Sequence, residues 1–181
     1  MIALILSALL VQESADLDAV VRKHVDEAGP GLAVLAIKDG KVLHKKGYGL
    51  ADLKAKTPVT AETLFDLASC SKQFTAIAIL QLQEKGKLKG DADVRTWLKE
   101  MRVHDKDRQI RVQDLVYHAS GLTDYLGLAG EISDPASLDN EGVLKLIADR
   151  GLEFRTGRKW AYSNSNYCLL ALLVERITKK S

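Results

Sequence analysis

Cysteine is scarce in this chain of 181 residues: two residues, Cys70 and Cys168, with no C-x-x-C spacing and no histidine run beside them. That excludes a zinc finger or ribbon and a disulfide scaffold. Both cysteines lie in apolar helical patterns, where a free thiol packs as a small hydrophobe, so no disulfide is expected between them. An excess of one charge is also missing. With 26 basic and 24 acidic residues the formal net charge is +2, and stretches such as KHVDE and MRVHDKDR mix the two signs. This balance excludes the basic footprint of a nucleic-acid binder and gives no pull toward acidic membranes. There is no low-complexity tract, no internal repeat, no H-E-x-x-H, no P-loop and no G-x-S-x-G, which removes metalloprotease, nucleotide-binding and α/β-hydrolase readings. Nothing implies a metal or an organic cofactor.

No apolar run is long enough to span a membrane. The run from Ile2 to Val11 has instead the length of a signal-peptide h-region. No Lys or Arg precedes it, and a cut after Ala15 would place Glu13 where a small residue is wanted. Residues 1–15 are read as a signal peptide, with export to a periplasmic or extracellular location. A buried first element of a cytoplasmic protein is the competing reading.

What remains is ordinary globular material, 46% hydrophobic. The segment SADLDAVVRKHVDE, Ser14 to Glu27, opens on a capping serine and carries Leu17, Val20, Val21 and Val25 at helical spacing. After Gly29-Pro30-Gly31, two apolar runs flank Asp39-Gly40, a strong hairpin signal, so Leu32 to Lys38 and Lys41 to Tyr48 are expected to pair antiparallel. Beyond Thr57-Pro58 the pattern turns helical. Ser71 to Lys85 is apolar on nearly every face, which predicts a buried helix. Short helices are expected within Ala92–Met101 and Val112–His118, an amphipathic one from about Leu138 to Arg150, and a last buried one over Asn164–Thr178. A hairpin alone is marginal in water, and no later segment obviously completes its sheet.

Two arrangements could carry chemistry. Ser69-Cys70-Ser71-Lys72 is an S-x-x-K. A lysine three residues on shares a helix face with the serine, and burial would lower its pKa enough to relay a proton. A serine at a helix start also lies among backbone N–H groups and the positive dipole end, which favour developing negative charge. With 10 serines and 17 lysines in the chain, chance alone supplies about one such motif. Tyr162-Ser163-Asn164 is rarer, with about 0.08 expected by chance from 5 tyrosines and 3 asparagines. A phenol near a cation can act as general base and an amide can grip a substrate amide; Asn164 could equally be a simple helix N-cap.

Together these blocks carry a resemblance. FDLASCSKQFTAIAILQLQEKGKL, IRVQDLVYHASGLTDY and FRTGRKWAYSNSNYCLLALLVERIT look, in that order, like the nucleophile helix, mid-domain signature and Y-x-N segment of the class C β-lactamase and D-alanyl-D-alanine carboxypeptidase family. The match runs from about Gly31 to the end. It implies an α+β fold of the β-lactamase/transpeptidase type. Residues 16–62 would supply the N-terminal helix and hairpin of an antiparallel sheet, and residues 63–181 the helical subdomain. It also implies that Ser69 is the acylated nucleophile, Lys72 its proton-relay partner and Tyr162 the general base. Asn164 would bind the substrate's acyl-amide carbonyl, and the Ser69 N–H would form half of an oxyanion hole. Substrates would be small molecules or peptides, with no nucleic-acid partner and no stable membrane anchor.

Three departures stand out. Ala68 replaces a glycine often found before the nucleophile, and Thr156 replaces the proline usual before Gly157. The family's K-T-G or H-x-G on a later strand does not follow Asn164 before Ser181, so the expectation is a fragment lacking the C-terminal strands and inactive as it stands. A non-catalytic relative that binds a ligand or partner is the alternative. His118 and Ser120 in HASGL read as a helix-end turn rather than a catalytic pair, and His24, His44 and His104 read as solvated.

Overall fold

The computed structural model describes residues 16–103, 105–132 and 138–180. The run Ile2–Val11, the capping Ser14 and His104 lie outside these residues. The chain divides into two compact units at Asp66/Leu67, each with its own packing.

In the first unit, helix α1 (residues 16–22) precedes strands β1 (Leu32–Lys38) and β2 (Lys41–Tyr48), which pair antiparallel as the sequence predicts. The turn between them puts Asp39 at φ 50° and Gly40 at φ 74°. Two consecutive left-handed residues match the twist of paired strands, and Asp-Gly tolerates them. A second small antiparallel pair, β3 (Leu50–Asp52) with β4 (Thr57–Pro58), follows; it is too short to show as a period-two pattern. The α1 helix is tied to β2 through Asp18, whose carboxylate accepts from Tyr48 Oη (2.9 Å) and Lys46 Nζ (2.6 Å) on Oδ1 and from Arg22 (2.8 Å) on Oδ2. His44 corrects its expectation: it is buried, with Nε2 2.6 Å from Tyr48 Oη. In β2 its side chain alternates onto the same half-covered face as Tyr48, and the tyrosine hydroxyl supplies the polar partner that water would otherwise provide.

The second unit is built on α5 (Asn164–Thr178). Helices α2 (Lys72–Glu84), α3 (Val112–Val116) and α4 (Asn140–Ile147) all pack against it. The run CLLALLV has high helix propensity and no glycine or proline, so it can present apolar side chains on several sides. Leu169, Leu170, Leu172 and Leu173 are accordingly fully enclosed. Their neighbours include Ile79 of α2, Leu115 of α3, and Leu144 and Ile147 of α4. Asp139 caps α4 by accepting the Gly142 N–H (2.7 Å), and Asp114 accepts the Arg111 N–H (2.9 Å) at the start of α3. Arg176 of α5 bridges Glu141 of α4 (2.8 Å), Glu100 (2.8 Å) and the Trp97 carbonyl (2.7 Å).

Two expectations are corrected here. The α2 helix is not buried all round: Ile79 and Leu82 are buried, whereas Phe74, Ile77 and Leu80 are 60%, 48% and 60% exposed, because α2 meets α5 on one side only. Ala92–Met101 contains only a short 3-10 turn, Val94–Thr96. The backbone here bonds outward, with Val94 N–H donating to Ile110 C=O and Val112 N–H to Ala92 C=O. Those bonds exclude a regular helix. Both cysteines are free thiols. No helix among the described residues is long and apolar enough to cross a membrane.

Because α5 is the common partner of the other helices, Leu169→Ala is expected to cost about 2–5 kcal/mol of unfolding free energy, read from a denaturant titration.

Candidate active site

The α2 helix is preceded by a 3-10 turn, Ala68–Ser71, that carries Ser69. Ala68 holds φ 45°, a left-handed conformation. For a residue with a Cβ this costs roughly 1–2 kcal/mol, and glycine would adopt it without strain. The backbone thus bends sharply just before Ser69, which leaves that hydroxyl exposed with Lys72 one turn on. From Lys72 the ammonium donates to Ser69 Oγ (3.1 Å) and to Asn164 Oδ1 (2.9 Å). The Tyr162 hydroxyl donates to the same Ser69 Oγ at 2.7 Å. All four residues singled out in the sequence therefore meet in one hydrogen-bonded cluster, although more than 90 positions separate Ser69 from Tyr162. Cys70, next to the nucleophile position, takes no part in these bonds.

Charge acts on the phenol. The Lys72 ammonium, 5.0 Å from the Tyr162 ring centre, and then the Ser69 hydroxyl lower the Tyr162 pKa below its ordinary value of 10.0. Burial and the carboxylate of Asp124 oppose them. A cation beside a phenol is the arrangement that makes tyrosine usable as a base.

The cluster rests on the segment HASGLTDY, Ala119 to Leu122 of which form no regular element. His118 Nδ1 accepts the backbone N–H of Ser163 (3.1 Å), and its ring lies against Tyr162 (4.7 Å between centres). Ser120 donates to Asn166 Oδ1 (2.7 Å) in the core. Asp124 Oδ2 accepts both the backbone N–H (3.1 Å) and the side-chain Nδ2–H (3.0 Å) of Asn164. Ser165 Oγ donates to the Thr123 carbonyl (2.8 Å) and accepts the Tyr125 N–H (2.8 Å). Each residue from Ser163 to Asn166 is thus held by a partner between His118 and Tyr125. Gly121 makes the bend possible: at φ 81° it lies where a Cβ would come 2.1 Å from the Phe154 carbonyl oxygen. Thr156 supports the bend from behind, its hydroxyl donating to the Ser120 carbonyl (2.9 Å) and its N–H to Asp105 (2.7 Å). Proline could make neither bond.

His118 and Asp124 were missed as functional positions by sequence reasoning. HASGL is a helix-end turn as expected, with His118 at φ 55°, but the histidine turns toward Tyr162 and Ser163 rather than Ser120. The signal was faint: His118, Ser120, Thr123 and Asp124 fall within one eight-residue stretch, but Asp124 lies 40 positions before the Asn164 it bonds. Among the described residues no group of three or more His, Cys, Asp or Glu is placed to hold a metal ion.

Comparison with known proteins matches this geometry to a family. A profile of the Beta-lactamase family matches residues 17–181, so the chain belongs to that family and has its β-lactamase/transpeptidase-like fold. Penicillin-binding protein 4* of Bacillus subtilis (strain 168) is 34% identical over 151 residues, 82% of this chain and 33% of that protein. The chain spans about a third of the length of this curated relative. Among solved structures, EstCE1, a hydrolase with promiscuous acyltransferase activity, superposes with a TM-score of 0.81 at 28% identity, covering 93% of this chain and 48% of that one. D-amino acid amidase from Ochrobactrum anthropi SV3 gives a TM-score of 0.73 at 27% identity, covering 92% and 44%.

His118 also gives the site an acid limit. Burial, and then the Lys72 ammonium, push its imidazole below the ordinary 6.5, while Asp124 opposes them. Protonation would remove the lone pair that accepts the Ser163 N–H. A base whose folded pKa is depressed contributes stability that is complete above the unfolded value and is lost as pH falls through the folded one. Unfolding free energy is therefore expected to decline as pH drops below about 6.5. His118→Asn, which tolerates the left-handed backbone, should flatten that part of a denaturant-by-pH series.

Proposed function

We propose that this member of the Beta-lactamase family carries the acylating centre of a serine hydrolase that acts on amide, β-lactam or ester substrates. The observation that carries the reading is the double engagement of Ser69 Oγ, by the Tyr162 hydroxyl at 2.7 Å and the Lys72 ammonium at 3.1 Å. A serine hydroxyl is a weak nucleophile until a base takes its proton, and both groups are within reach.

In this reading Tyr162 works as a phenolate stabilised by Lys72. It accepts the Ser69 proton as Oγ attacks the substrate carbonyl carbon. The tetrahedral oxyanion is stabilised by the Ser69 backbone N–H and the start of α2. As the carbonyl reforms, the bond to the leaving nitrogen or oxygen breaks, and the proton held by Tyr162 passes to that atom. An ester of Ser69 remains. Tyr162 then takes a proton from water, the resulting hydroxide attacks the ester, and Ser69 Oγ leaves with the proton restored. Lys72 orients Ser69 and the Asn164 carbonyl, and at 3.1 Å from Ser69 Oγ it serves as the proton-relay partner between the serine and Tyr162. Asn164 offers its amide N–H to an acyl-amide carbonyl of the substrate.

The relatives support this class of chemistry. One is described as a penicillin-binding protein, one as a hydrolase and one as an amidase. The open setting of Tyr162, 44% exposed, fits small-molecule or peptide substrates. The apolar run Ile2–Val11 supports an exported protein.

In a protein that also carries the family's K-T-G or H-x-G strand, Ser69→Ala is expected to abolish covalent labelling by a fluorescent penicillin and by a fluorophosphonate, as read on a denaturing gel. Labelling of that variant at the wild-type rate would remove Ser69 as nucleophile. Tyr162→Phe should slow labelling by about a hundredfold or more. The wild-type rate should fall as pH is lowered through the Tyr162 pKa, on a limb lying below pH 10.

A further inference from the structure

The side-chain amide of Asn164 is held from two sides by opposite charges. Its Oδ1 accepts from the Lys72 ammonium, and its Nδ2 donates to the Asp124 carboxylate. Turning the amide over would set oxygen against carboxylate and NH2 against ammonium, two repulsive pairs in place of two attractive ones. The Asp124 carboxylate is itself anchored. Oδ1 accepts the Leu126 N–H (3.1 Å), and Oδ2 takes the Asn164 backbone N–H as well as Nδ2. Nδ2 has two hydrogens, and the Asp124 bond occupies one of them.

We propose that Asp124 is a positioning residue of this site: it locks the orientation of the Asn164 amide and so directs the second Nδ2–H at a carbonyl oxygen of the substrate. The proposal rests on the acyl-transfer reading of Ser69. The carbonyl is the one that reading gives to Asn164, as in an acylamino group; what is added is that Asp124 makes the site selective for molecules that carry it. Molecules without that carbonyl gain nothing from Asp124 beyond general integrity of the site. The residue touches neither substrate nor Ser69, and acts through Asn164.

A simpler reading makes Asp124 only a cap for α5. The α5 N-cap residue, Ser163, makes no side-chain capping bond of its own, and Asp124 accepts the first N–H of that helix. A cap alone would lower stability and slow every reaction at the site alike. It would not distinguish one probe from another.

The test compares labelling rates with two probes, in the protein that also carries the family's K-T-G or H-x-G strand. Fluorescent penicillin carries an acylamino carbonyl, and a fluorophosphonate carries none. In Asp124→Ala the penicillin rate is expected to fall about tenfold or more relative to the fluorophosphonate rate. In an Asn164→Ala background the same substitution should produce no further selective loss, because its effect is routed through that amide. Asp124→Asn, whose single carbonyl oxygen can still accept both Asn164 N–H groups, should recover most of the penicillin rate. If the alanine variant does not fold, Asp124→Ser, whose shorter side chain withdraws the acceptor from Nδ2, carries the same two-probe comparison with the same selective loss expected. An equal fall for both probes, or a selective loss that persists without Asn164, overturns the positioning role and leaves Ser69 as nucleophile. A wild-type protein that carries the family's K-T-G or H-x-G strand and is labelled by neither probe overturns the acyl-transfer reading and this proposal with it.

Discussion

The pairing of residues 118–125 with residues 163–166 is the constraint on which the site depends. It is made of side-chain-to-backbone and side-chain-to-side-chain bonds, and the Ser120–Asn166 bond lies fully inside the core. Such bonds contribute about 1 kcal/mol each when made and cost more when one partner is left buried alone. The penalty for a misplaced partner is what fixes the geometry. Because the loop holds four consecutive residues at the entry to α5, Tyr162 and Asn164 are aimed before any substrate arrives. Ser69 and Lys72 need only be brought up from the α2 side.

Electrostatics then orders the cluster. Lys72 is the hub: it donates to the serine, holds the asparagine carbonyl and lowers the tyrosine pKa. Asp124 and Lys72 sit on opposite sides of one amide. The neutral imidazole of His118 backs the tyrosine ring without adding a competing cation. This is preorganisation of dipoles and charges around the place where negative charge would develop.

Much of this was legible in the sequence, for identifiable reasons. Asp39-Gly40 announced the hairpin because the turn needs two left-handed residues, and that requirement is local. Ser69, Lys72, Tyr162 and Asn164 were legible only together: S-x-x-K is as common as chance and Asn164 alone reads equally as an N-cap, so it was the ordered resemblance to the family's blocks that singled them out. The supporting loop was not legible. Its bonds join positions about 40 residues apart and follow no period, so Asp124 and His118 looked like ordinary loop residues. Composition misjudged α2, since an apolar stripe on every face does not say how many faces have a neighbour. It misjudged His44 in the opposite sense, because a polar residue in a charged stretch can still find a buried tyrosine hydroxyl. Thr156, read as a departure from the family's usual proline that leaves the mechanism unchanged, supplies two hydrogen bonds of its own.

The distance along the chain between the two halves of the cluster has a kinetic consequence. Lys72 and Asn164 are 92 residues apart. Loop-closure entropy grows only slowly with such a separation, but it must be spent before the contact returns anything. The Y-x-N side is bound to a loop about 40 residues upstream and can form earlier. The nucleophile side joins only when α2 docks on α5, which also closes the core. Reactivity at Ser69 therefore requires α2 to be docked, and a chain with α2 undocked would hold a half-site with no nucleophile in it.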